Sequence, residues 1–256
     1  MNLHRTTLAG IGCLFAIATA SAANLQDAID AIQKKDYPTA IALLKPMAEQ
    51  GEPKSMTLLA IQYEFGRGVP ADAAQAQALF QKAADKGYVL AQYQLGNMYR
   101  DGVVSHDPAQ AAHWYSLAAT QGYAVAQTNL GALYQKGNGV PLDLAQSVAL
   151  FRKGAAGGDA VGYFDLAVVY ANGAGVPRDL VAADALLEMA VAQYVTNAKD
   201  LAGGSTYTLA ESLQRTDTSN QKNALAARDK IAAMLSPAQA EQARALVQQM
   251  TGEGVT

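Results

Sequence analysis

Apolar positions recur along this chain with helical spacing, and they do so in blocks of fixed length. The segments Ala91-Gln-Tyr-Gln-Leu95-Gly96-Asn-Met-Tyr99 and Ala126-Gln-Thr-Asn-Leu130-Gly131-Ala-Leu-Tyr134 place Ala, Leu/Gly and Tyr at i, i+4, i+5 and i+8, which is one face of a helix. A second apolar face follows in each block, as Ala76, Leu79/Phe80 and Ala83, and ends at Lys86-Gly87-Tyr88. Tyr63, Tyr99, Tyr134 and Tyr170 repeat at steps of 36, 35 and 36, each followed three residues later by Gly66, Gly102, Gly137 or Gly173. Leu44, Phe80, Tyr115, Phe151 and Leu187 keep the same period, as do Gly51, Gly87, Gly122 and Gly158. Several columns in one phase over about 150 residues are the signature of a repeat array of helix pairs.

The punctuation supports this reading. Gly66, Gly102, Gly137 and Gly173 stand where a first helix ends and a left-handed residue closes it without a Cβ penalty. Gly-Val-Pro loops at 68–70, 139–141 and 175–177 lead to Asp72, Asp143 and Asp179, with Asp107 in the corresponding place of the shorter second unit. An Asp there accepts from free N–H groups and opens the second helix. Small residues at Ala60, Gly96, Gly131 and Ala167 predict close approach between paired helices. Nearly four units run over 55–194, and a half unit within 24–54 gives the first of them a helix to pack on.

The Ala-x-x-x-Leu-Gly-x-x-Tyr and Gly-x-Gly-Val-Pro-x-Asp segments resemble the Sel1-like repeat family, relatives of the tetratricopeptide repeats, over roughly residues 36–194. The second unit departs from the pattern, reading Asp101-Gly-Val-Val-Ser-His106-Asp107 without the Pro. The resemblance implies an all-α fold, a right-handed α-solenoid of helix-turn-helix repeats with a concave groove, and a role in protein–protein contacts. Carried over by position, the groove is lined by Thr57, Ile61 and Glu64, then Tyr93, Asn97 and Arg100, then Thr128, Ala132 and Gln135, then Phe164, Val168 and Ala171. Glu64, Tyr93, Asn97, Arg100, Thr128, Gln135 and Phe164 are the expected partner-binding set, with Tyr93 and Phe164 as apolar anchors.

Residues 195–256 lose the period and read as a helical cap on the last repeat. Helices are expected around Tyr207–Gln214, Asn223–Leu235 and Ser236–Met250, with a polar loop at Thr216–Asn220. Ser236-Pro237-Ala238-Gln239 is a capping-box start. Met234, Leu235, Leu246, Val247 and Met250 could alternatively form a partner face.

Composition then narrows the setting. Residues 1–23 combine a basic start, a short apolar run and small residues before Ala22 or Ala23, the grammar of a cleaved signal peptide; the run is too short to span a membrane. The single Cys, Cys13, lies inside that run and does not fit a lipidation site. Cleavage leaves 18 basic and 22 acidic residues, net −4, and no cysteine. Disulfides and thiolate chemistry are thereby excluded from the mature chain, and no basic excess invites nucleic acid or anionic lipid. The expected location is the periplasm, with secretion as the alternative, and the chain is expected to be a monomer without a membrane anchor.

The chemistry that remains is sparse. His106 and His113 are the only histidines beyond the signal, and they lack His-x-x-x-His or HExxH spacing. Gly-x-Ser-x-Gly does not occur in the mature chain, and the single Ser-x-x-Lys, Ser219-Asn220-Gln221-Lys222, adjoins the expected polar loop. Gly203-Gly204-Ser205-Thr206 lacks the Lys and preceding strand of a phosphate loop, and Asp184 with Glu188 reads as a solvated helix face. No catalytic residue, metal site or cofactor is expected. The favoured reading is a non-catalytic exported scaffold for an envelope protein or peptide. The alternative is an envelope hydrolase or β-lactam-binding enzyme of the same fold, although the Cys pairs of such relatives are missing.

Overall fold

The structure is a computed structural model that describes residues 24–202 and 207–252, and the side chains of residues 24–196 and 219–252. Every regular element among them is a helix. Helix α1 covers residues 24–33, and α2 (Tyr37–Glu49), α3 (Pro53–Phe65), α4 (Ala73–Asp85), α5 (Val89–Asp101), α6 (Pro108–Thr120), α7 (Ala124–Lys136), α8 (Leu144–Ala156), α9 (Ala160–Asn172), α10 (Leu180–Ala202), α11 (Tyr207–Ala232) and α12 (Pro237–Gly252) follow. The signal peptide expected at residues 1–23 and the segment Gly203–Thr206 lie outside the described residues. The chain divides into two compact units, Met1–Ala91 and Gln92–Thr256.

The helices α2 to α9 are each 13 residues long, and similar caps recur at matching ends, although Tyr123 before α7 supplies no side-chain cap. Asp72, Asp107, Asp143 and Asp179 each accept from backbone N–H groups of the first turn of the helix they start, at 2.9–3.1 Å. Gly66, Gly137 and Gly173 close α3, α7 and α9 at φ of +65°, +63° and +71°, each donating its N–H to the carbonyl four residues back. The capping Asp also returns a hydrogen bond to the preceding helix: Asp72, Asp107, Asp143 and Asp179 donate N–H to the carbonyls of Tyr63, Tyr99, Tyr134 and Tyr170 at 2.9–3.0 Å. The Tyr-to-Asp interval thus holds its closing bond even in the second repeat, which is one residue shorter. What that repeat drops is the second left-handed glycine, present elsewhere as Gly68, Gly139 and Gly175.

In the first unit α3 packs between α2 and α4, with Leu44 and Phe80 inaccessible to solvent. In the second unit each helix from α6 to α10 packs on its successor, and α11 and α12 both pack on α10. The column Tyr115, Phe151 and Leu187 supplies its interior; none is more than 2% exposed. Burying one such side chain contributes roughly 1.5–3 kcal/mol. The small-residue column is what admits them: a Cβ on Gly96 would lie 2.5 Å from the Tyr115 ring, and one on Gly131 would lie 2.9 Å from the Phe151 ring. An aromatic ring, more than a closely approaching backbone, occupies the space those glycines leave.

The C-terminal region departs from expectation in one element. Residues 216–220 continue the helix, so α11 is unbroken from Tyr207 to Ala232. The polar run Thr-Asp-Thr-Ser-Asn contains no Gly or Pro, and such residues each cost an α-helix only a few tenths of a kcal/mol. Beyond α11 the capping box is present: Ser236 N–H donates to Gln239 Oε1 at 3.0 Å, and Gln239 N–H donates to Ser236 Oγ at 3.3 Å. Asp184 also differs from its sequence reading. It is half-buried at the seam between α10 and α11, where Arg228 faces it, and burial raises its pKa ahead of the like charge of Glu188.

Candidate functional site

The first helices of the repeats carry the positions expected to meet a partner, and the structure sorts them by exposure. In the first unit Thr57 and Ile61 are both 1% exposed, the Thr57 hydroxyl donating to the Pro53 carbonyl at 2.8 Å, and only Glu64 reaches the half-buried zone. In the second unit Tyr93 and Thr128 are buried as well. This corrects the transferred geometry at both positions. The Tyr93 ring lies 6.1 Å from Tyr115 and 5.1 Å from Tyr123, filling the space between α5, α6 and the start of α7. Thr128 sits where two small-residue columns shrink to glycine. A Cβ at Gly154 or Gly162 would come within 2.2 Å or 2.8 Å of its hydroxyl oxygen. The equivalent columns hold Ala83, Ala118 and Ala190 in one case and Ser55, Ala91 and Ala126 in the other. Those two exceptions are the sequence signal for a buried threonine.

Asn97, Arg100 and Gln135 remain half-exposed. Asn97 is held on both sides, its Oδ1 accepting from the Tyr115 hydroxyl at 2.7 Å and its Nδ2 donating to Gln94 Oε1 at 2.9 Å. Arg100 forms a two-pronged pair with Asp101, Nε and Nη2 donating at 2.7 Å and 3.0 Å. Burial works against the guanidinium charge, but the hydrogen-bonded Asp101 carboxylate favours it and the Arg100 pKa is raised. Burial likewise raises the pKa values of Tyr93 and Tyr115, so both rings are neutral, hydrogen-bonding phenols at physiological pH.

Phe164 has a different fate. It packs against the cluster of Ala160, Ala190, Tyr194 and Ala224, the last of which belongs to α11. Ala171 is likewise covered, against a cluster that includes Ile231 of α11. Helix α11 therefore occupies part of the face of α9.

Sequence reasoning passed over three charged groups on this side of the second unit. Asp165 is pushed up to about 7, first by burial and then by the like charge of Asp159, with Lys136 opposing. Asp159, the N-cap of α9, is also raised by burial, while the Thr128 hydroxyl and the N–H groups of Val161 and Gly162 pull the other way. The column Leu58, Gln94, Asn129 and Asp165 is the available signal, since one position changes from apolar to amide to acid along the chain.

The remaining chemistry is dispersed. His106 is exposed, with Nδ1 2.9 Å from the Arg100 carbonyl oxygen, and His113 stacks edge-on against Trp114 at 5.0 Å. Among the described residues no group of three or more His, Cys, Asp or Glu is placed to hold a metal ion, and no helix is long and apolar enough to cross a membrane.

The repeat pattern of the Sel1 repeat matches residues 30–52, 53–88, 89–123, 124–159 and 160–194. The chain belongs to the Sel1 repeat family. Its helix pairs coincide with those matches, α3 and α4 forming one repeat and α9 with the first part of α10 another. A Sel1 repeat protein from Oxalobacter formigenes is 29% identical, with a TM-score of 0.61, over 66% of this chain and 70% of that one. The immunity protein Pa5087 from Pseudomonas aeruginosa is 21% identical, with a TM-score of 0.50, over 83% of this chain and 82% of that one, and shares the fold. A protective antigen of uropathogenic Escherichia coli, c5321, is 26% identical with a TM-score of 0.42; this chain aligns over 83% of its length to 56% of the antigen. No functionally curated protein matches. Sel1 repeat proteins generally serve as protein-interaction scaffolds, and their fold is typically non-catalytic.

Proposed function

We propose that this Sel1 repeat protein is exported to the periplasm and acts there, as a monomer, as a non-catalytic scaffold for an envelope protein or peptide. The partner lies against α5 and α7 and is read by Asn97, Arg100 and Gln135. The observation that carries this reading is the pre-set polar group on α5. Arg100 is clamped by Asp101 beside the Tyr93 and Tyr115 rings, and Asn97 is fixed by Tyr115. Arg beside aromatic rings is the composition of binding hot spots, and side chains already ordered lose little further entropy on association.

A tagged chain captured from a cross-linked cell envelope is expected to recover a discrete partner. The combination Asn97→Ala with Arg100→Ala is expected to reduce that recovery at least tenfold while leaving the helical circular dichroism unchanged. Equal recovery by the variant, or fractionation of the chain with the cytoplasm, contradicts the proposal.

A further inference from the structure

Residues of α9, α10 and α11 border an open pocket of about 270 Å³. Small side chains contribute to it from both sides, Ala167 and Ala171 on α9 and Ala227 on α11. Leu187 and Ile231, both buried, give the pocket apolar walls, and Met234, 51% exposed, stands at its edge. An unbranched thioether at such a rim adapts to more than one occupant.

The charged groups of the lining are of one sign. Arg178 and Lys230 both line the pocket and both are exposed, and no acid lines it. The Arg178 Nε donates to the Ala171 carbonyl at 3.0 Å, which ties its stem to the end of α9. Among the described residues neither cation forms an ion pair. In a chain of net charge −3, two exposed cations over an apolar recess make a local complement to an anion. The volume bears on what kind of anion. Pockets that bury a whole small-molecule ligand run from about 300 to 1,000 Å³. A smaller recess suits one or two aliphatic side chains of a larger ligand.

We propose that this pocket is a second docking site, for an acidic peptide segment that inserts an aliphatic side chain between α9 and α11 and places an adjacent carboxylate on Arg178 and Lys230. The site is built by the end of α11 together with the last repeat, so none of its lining residues belongs to α5 or α7.

The test is fluorescence anisotropy of the full chain with a labelled peptide alternating leucine and glutamate, against the same peptide with glutamine for glutamate. Saturable binding is expected for the acidic peptide, at least tenfold tighter than for the neutral one and weakened by added salt. Arg178→Gln with Lys230→Gln, two exposed changes, is expected to weaken it at least tenfold, and Ala227→Leu to weaken it by filling the recess. Asn97→Ala with Arg100→Ala is expected to leave it unchanged, which separates this site from the scaffold face. Equal affinity for the two peptides, no saturable binding, or no effect of the double glutamine variant overturns the proposal. Displacement of the peptide by octanoate at comparable concentration overturns it in favour of a free fatty acid.

Discussion

A β-carbon at position 96 would meet two ring carbons of Tyr115 at 2.5 Å, and that ring is fully buried with its hydroxyl bound to Asn97. The glycine is therefore a seat for the ring, and overpacking it is costly in spite of the gain in helix propensity. Gly96→Ala is expected to destabilise the chain by about 1–3 kcal/mol in urea unfolding. An unchanged or raised midpoint would mean that the ring has room to move aside. Asp165 makes a second claim at this scale. Its pKa in the folded chain, about 7, lies above the ordinary value of about 3.9, so the folded state binds the proton more tightly than the unfolded state. That contribution is complete below about pH 4 and is lost as the pH rises through about 7. Asp165→Asn is expected to flatten the stability decline across this range and to exceed the original chain by about 1–2 kcal/mol at about pH 8. A pH profile with the same slope in both proteins would place Asp165 in solvent.

Among the elements, α11 is where local propensity and tertiary packing part company. It runs without a break through the polar residues 216–220, and its later part packs on α10 through Ala224 and Ile231. Ser219→Pro removes an internal N–H and adds a steric clash, so a loss of about 3 kcal/mol and a drop in helicity by circular dichroism are expected. A flexible loop at this place would absorb the proline without either effect. The repeat helices were far more legible than α11, and for a physical reason. Their limits are set by single residues with one conformational role: Gly66 must be left-handed, and Asp72 must face the free N–H groups of the next turn. Residues such as Thr216 and Ser219 have only weak local preferences, and the packing that decides them cannot be read from spacing. The exposure of the expected groove positions was legible only in part. Repeat position accounts for the half-exposure of Asn97, Arg100 and Gln135, but the burial of Thr128 depends on Gly154 and Gly162, which lie on two other helices. The cover that α11 lays over Phe164 depends on a segment outside the repeats.

At the scale of the whole molecule, five Sel1 repeats from residue 30 to 194 are followed by two further helices, α11 and α12, that pack on α10. The recurrent residues account for packing, capping and loop closure, which leaves the positions that differ between repeats to distinguish one partner from another. In the second unit those half-exposed positions are Asn97, Arg100 and Gln135 on α5 and α7, while the exposed positions of α8, such as Ala149, belong to a second helix. The central claim is that the first-helix side of this unit meets a protein partner in the envelope. Its most direct test replaces Gln135 with a photoreactive phenylalanine analogue, with the same replacement at Ala149 as the comparison, followed by irradiation of living cells and separation of the adducts. A discrete protein adduct from position 135 and none from position 149 is the predicted result; adducts of equal yield from both positions, or none from position 135, would contradict it.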